Sequence, residues 1–289
     1  MGRKATSIDK QVELLKNRNM VLDWDKEKIK EILLDIGYYR LGFYWQPFEI
    51  DDQHNLEVGT KFSNIVNLYY LDVDLRNLLS KYINRIEINF RTKLVYYVSN
   101  KYKESPTWFV DNQVMSRNYI ANFDKYYDEE FKRNNKPIKK HHEKYINDKY
   151  APAWKTIEFF TFGGILKIFS SLKDDGIKER ISNTYDIRDV RKFINFMTTI
   201  KQVRNVCAHS AVIFDFNTPR GINRIPAFSF NDNNRHSLDS SMKVIKYVLS
   251  QISGRRSDDM ESDINNLFGD NSGNPVIKNI IESKMGYRY

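Results

Sequence analysis

The 289-residue chain is 41% hydrophobic and 14% aromatic, which is ample for a packed core and excludes a disordered protein. A formal charge of +9 and a pI near 9.3 favour a polyanionic partner through counterion release, nucleic acid first among them. The single cysteine, Cys207, excludes an intrachain disulfide, and no apolar leader or 18-residue apolar run is present, so the expectation is a cytoplasmic protein with no membrane contact.

Seven prolines and twelve glycines are few for this length, and Leu, Ile, Lys, Glu and Asn recur at helical spacing, which predicts an all-α fold. A first helix has Ile8, Val12 and Leu15 on one face and Ser7 as its cap. Asp25 caps a second, with Ile29, Ile32, Leu33 and Ile36 in line and Gly37 at its end. The aromatic run from Tyr38 to Phe48 has two readings. It is either a hydrophobic plug on the core or a base-stacking platform from which Arg40 reaches a phosphate.

A long helix is predicted over 64–99, started by Thr60 or Ser63, with an apolar line through Leu75, Leu78, Leu79, Tyr82, Ile83, Ile86, Phe90 and Leu94. Glu87 falls on that buried side, where a carboxylate needs a partner. Arg91 at i+4 can serve locally, or Glu87 can reach a cation on another helix.

Residues 106–114 read as a loop docking its aromatics, and a helix from Ser116 carries Ile120, Phe123, Tyr127 and Phe131. The stretch from Lys132 to Lys149 gathers nine Lys, Arg and His residues around Pro137, including Lys132, Arg133, Lys136, Lys139, Lys140, His141, His142 and Lys144. This is a candidate phosphate-backbone surface, or simply a solvated helix face. The paired histidines do not make a metal motif, because HHEKY is not HExxH and no third ligand falls at the right spacing.

Pro152 opens an element with an inward line of Trp154, Ile157, Thr161, Ile165, Ile168 and Leu172, bent near Gly163 and Gly164, and Glu158 is a second carboxylate on that apolar face. A short helix follows over 176–183. Asp186 or Asp189 then caps a helix whose buried line is Val190, Phe193, Met197, Ile200 and Ala208, with Arg204 on it. An arginine cannot shed its charge, so Glu87 and Glu158 are its natural partners. Beyond it, AVIFDF and PAFSF read as two short strands of a hairpin; Ser237 or Asp239 then caps a helix, a short one follows from Asp258 to Phe268, and Pro275 starts the last.

The chemistry concentrates in VRNVCAHS, residues 203–210. Histidine near neutral pH can take a proton from one oxygen and return it to another, while a guanidinium and an amide hold a phosphate as charge builds. These parts suffice to cleave RNA without a metal or other cofactor, through attack of the 2′-hydroxyl, leaving a 2′,3′-cyclic phosphate and a 5′-hydroxyl. Asn205 and His209 share a helix face, but Arg204 and His209 diverge by about 140°. They converge only if the helix ends near His209 or if a second copy contributes.

RNVCAH matches the R-x4-6-H signature of HEPN ribonucleases, and the wider chain resembles the abortive-infection (Abi) proteins of the D and F type. The resemblance is carried by IGYYRLGFYWQPF, RIEINFRTKL, APAWKTIEFFTFGGI, VRNVCAH and a closing MGY, in that order. It implies a HEPN-like helical bundle over 63–210, with elaborations over 1–62 and 211–289 of one domain. It further implies a metal-independent endoribonuclease toxin of anti-phage defence, restrained by a small noncoding RNA and typically composite, hence a homodimer. Arg204 and His209 would be the catalytic pair, Asn205 their polar support, and Glu87 and Glu158 would orient the arginine. Two other classes stay open: a non-catalytic module holding a structured RNA, and a protein-interaction scaffold.

Overall fold

A computed structural model describes residues 4–289, and its helices follow the apolar lines closely. Helix α1 (Ile8–Asn17) is capped by Ser7, whose hydroxyl accepts from the Lys10 amide, and α2 (Lys26–Ile32) by Asp25 in the same way at Lys28. A π turn over Leu33–Gly37 follows, and Gly37, at φ 92°, passes the chain into α3 (Tyr38–Trp45). The aromatic run is therefore a helix.

The organising element is α4 (Phe62–Lys101), 40 residues and about 60 Å long. Thr60 and Ser63 do not cap it. Lys61 stands at the cap position without a side-chain bond, and Asp23 does the work instead, accepting from the Ser63 amide at 3.0 Å. A parallel bridge between Val21 and Lys61 brings Asp23 there.

The helix predicted from Ser116 is broken in two, α5 (Arg117–Ala121) and α6 (Glu129–Asn134), and α7 (Lys136–Lys144) starts at the turn where Pro137 is tolerated. The element after Pro152 also divides, into the single turn α8 (Ala153–Thr156) and α9 (Phe162–Ser171). The break lies at Phe160, ahead of the glycines, because Thr161 turns its hydroxyl onto the Gly164 amide and starts a new helix. It leaves Trp154 exposed, off the inward line proposed for it.

Next come α10 (Asp175–Asn183) and α11 (Val190–Ala208), the latter capped by Asp189. The chain closes with α12 (Leu238–Ser250), α13 (Gly254–Asn271) and α14 (Pro275–Ser283). The expected hairpin does not form. Among the described residues only isolated bridges occur, one of them between Ile225 and Phe228. Ile213, Phe214 and Ile222 spend their apolar side chains on the helical core, and the Ile213 and Phe214 amides go to a side chain rather than a ladder.

Helix α4 packs against α3, α9, α10, α11 and all three C-terminal helices. Its Leu75, Leu79, Ile83, Ile86, Phe90 and Leu94 are fully buried, and the Phe90 ring meets Phe162, Phe169 and Phe193 edge-on. One continuous buried cluster runs from Val12 to Met285, so the N- and C-terminal segments share the core of the middle. The closing MGY belongs to it: Gly286 adopts φ 78°, and a Cβ there would lie 3.0 Å from Ser237. Among the described residues, no helix is long and apolar enough to cross a membrane.

Candidate active site

Arg204 leaves α11 toward α4. Its Nε lies 3.4 Å from Oε2 of the buried Glu87, and about a third of its side chain stays exposed. Both readings of Glu87 therefore apply, because its other oxygen accepts from Arg91 Nη2 at 3.1 Å. Arg91 in turn donates to the Phe160 carbonyl at 3.0 Å and faces Glu158 at 3.6 Å. Glu158 thus pairs with Arg91 and not with Arg204, and its side chain is mostly exposed, since the break at Phe160 turns it off the apolar face. Two carboxylates and two guanidiniums form a chain in which only Glu87 and Arg91 are well shielded. The terminal nitrogens of Arg204 have no protein hydrogen bond among the described residues.

The other end of the motif is arranged differently. Helix α11 stops at Ala208, and His209 caps it, its amide donating to the Asn205 carbonyl at 3.0 Å. The His209 and Asn205 side chains are exposed and make no hydrogen bond among the described residues. Ser210 takes φ 52°, a left-handed turn that ends the helix, and the backbone after it is tied down by side chains. Arg76 donates to the carbonyls of Ser210 at 2.9 Å and Ala211 at 2.8 Å, and Arg40 also donates to Ser210. Asp72 accepts from the Ile213 and Phe214 amides at 2.9 and 2.8 Å, from the Tyr44 hydroxyl at 2.9 Å, and faces Arg76 at 3.3 Å. Burial pushes the Asp72 carboxyl above the usual range, against the amides, Arg76 and Tyr44, which all pull it down.

Asp72 and Arg76 were missed by sequence reasoning, although the signal was there. Asp72 stands four residues after Leu68, three before Leu75 and seven before Leu79, the same acid-in-an-apolar-line pattern that marked Glu87. Arg40 points at the Ser210 carbonyl, with its guanidinium 5.9 Å from the Tyr44 ring, so its donors are partly spent within the protein. The aromatic run itself divides. Leu41, Tyr44 and Trp45 are buried as a plug, whereas Tyr39 and Phe43 remain exposed and in contact edge-to-face.

The chain belongs to the Abi-like protein family. The match to that family's model covers residues 31–215, so it begins at the end of α2 and ends directly after Phe214, whose amide Asp72 holds. Searches against curated proteins and against solved structures returned no match. All the residues gathered at the two ends of the motif lie inside the Abi-like segment, and α12 to α14 lie outside it.

The basic stretch is separate from the motif's own contacts. On α6 and α7, Arg133, Lys136, Lys139, Lys140 and Lys144 are exposed, and Lys132 is half-buried, bonded to Glu129 at 2.7 Å. The two histidines turn away from this surface. His141 is buried against Asp148 at 3.0 Å, and His142 Nε2 meets the Tyr127 hydroxyl at 2.9 Å. Burial and the nearby Lys132 hold the His142 imidazole below its ordinary range. Among the described residues, no group of three or more His, Cys, Asp or Glu is placed to hold a metal.

Proposed function

We propose that this Abi-like chain is a metal-independent endoribonuclease of HEPN type, acting in abortive-infection defence against phage. Family membership supports the defence role. The observation that carries the enzyme reading is the contrast within one helical turn and a half. Arg204 is fixed at Nε by Glu87 with its terminal nitrogens open, while His209 presents an unbonded, exposed imidazole where the helix ends.

In this reading Arg204 holds the scissile phosphate and Asn205 donates beside it. The substrate 2′-oxygen forms a bond to phosphorus as the bond to the 5′-oxygen breaks. Histidine takes the 2′-hydroxyl proton and supplies one to the departing 5′-oxygen. Two ends of α11, from two copies of the chain, would divide those proton transfers and complete the site. The exposed cations of α6 and α7 suit the backbone of a small restraining RNA.

Incubating the purified protein with RNA in EDTA tests this. Cleavage that persists under chelation, yields 2′,3′-cyclic phosphate ends and disappears in His209→Ala and Arg204→Ala is expected. Inert wild-type protein that still retains RNA would replace the enzyme with a binding module.

A further inference from the structure

A cleft of about 380 Å³ is lined by Tyr119, Tyr126, Phe131, Phe159, Phe160 and Lys167, in the size range of small-ligand pockets. It abuts the candidate site. The Phe160 carbonyl accepts from Arg91, Glu158 beside Phe159 faces Arg91, and Arg91 shares Glu87 with Arg204. On its other side the Phe131 and Phe160 rings lie 5.6 Å apart, and Phe131 directly precedes the basic Lys132 and Arg133. The cleft therefore lies between the basic helices and the arginine.

Its chemistry is unusual for a mere gap. Tyr119 is 3% exposed, and its hydroxyl has no hydrogen-bond partner, a costly state for a buried donor. Tyr126 and Phe159 keep exposed ring surface at the rim, and Lys167 donates to the Tyr126 hydroxyl at 2.9 Å. Gly163 and Gly164 line the cleft without side chains. The cavity of about 470 Å³ between α12 and α13 differs, because there Lys243, Lys246 and Arg288 each already face an acid.

We infer that this cleft receives an unpaired nucleobase of single-stranded RNA, stacked on the rim aromatics and hydrogen-bonded by the Tyr119 hydroxyl. Lys167 and the neighbouring basic helices would face the backbone. Base stacking is largely indifferent to sequence, and polar groups at the wall add selectivity. The assignment rests on the RNA reading above and names the form of RNA that the site takes.

The test reads binding, not cleavage, in the full-length His209→Ala protein, so its outcome is independent of whether the chain is a nuclease. A short single-stranded oligoribonucleotide is compared with the same oligomer carrying abasic riboses. The intact oligomer is expected to bind about fivefold or more tightly, the yield of one good stack. Phe159→Ala and Tyr119→Phe should each narrow that gap. Tyr119→Phe removes a hydroxyl that has no protein partner, so its melting temperature should hold or rise, which separates lost contact from lost fold. Equal binding of the two oligomers, or an unchanged gap in both variants, overturns the assignment.

Discussion

Two acid–base pairs on α4, Asp72–Arg76 and Glu87–Arg91, share the i, i+4 spacing, and both meet the C-terminal part of α11 and its exit, yet they end in opposite states. The first is sealed. Asp72 is 0% exposed, and its oxygens and the Arg76 guanidinium are consumed by the backbone after His209 and by Tyr44. The second opens outward through Arg204 and Glu158, whose outer atoms face solvent. A sealed pair fixes chain direction, and a half-open pair keeps a cation aimed but available. The same local motif ends sealed or half-open according to how far its neighbours close over it.

The largest effect is expected at the sealed pair. Asp72→Ala strands two buried amides and Arg76, and chemical denaturation should show a loss of about 3 to 5 kcal/mol. A loss below about 1 kcal/mol, the scale of a single hydrogen bond, would mean that the cluster does not anchor the exit of α11.

At the half-open pair the effect should fall on rate instead. Glu87→Gln keeps the shape but releases Arg204, so on the proposed ribonuclease reading cleavage is expected to drop about 10- to 100-fold in kcat with little change in KM. Because Arg91 retains Glu158 and the Phe160 carbonyl, the melting temperature should change far less than in Asp72→Ala. Equal damage to stability in the two variants would erase the distinction between the pairs.

The smallest effect lies at Cys207, which sits on the sealed side. Burial pushes its thiol from 9.0 up to about 11, although Ser80 and Arg76 pull it down and Asp72 adds to the rise. The folded form therefore keeps a proton that the unfolded form gives up. The stability this contributes is intact below about pH 9 and is lost progressively as pH rises toward 11. Cys207→Ala should flatten that part of the profile relative to wild type, and native protein should resist alkylation at pH 8. Rapid alkylation without denaturant would show that this side is open.

The helices were legible because burial imposes a 3.6-residue period, and Ser7 and Asp25 were legible as caps, with Asp189 and Ser237 each one of two candidates, because free amides at a helix start need a nearby oxygen. That Arg204 needs Glu87 or Glu158 was legible for a similar reason, since each is a charge on an apolar line, and the structure chose Glu87. Reasoning of this kind fails where the chain leaves regular structure. AVIFDF has strand-like composition, but the amides of Ile213 and Phe214 are claimed by Asp72, 141 and 142 residues away on α4, which no local pattern reports.

Glu158 shows the same limit on a smaller scale. Its spacing put it on an apolar face, and one hydroxyl, Thr161, restarted the helix and turned it out to Arg91. Sequence alone determined which residues are charged, which lines are apolar and that Arg204 needs a carboxylate, because these follow from periodicity and desolvation. Tertiary structure alone decided which acid–base pair is buried and which stays open, since closure depends on segments distant in sequence that pack over each pair.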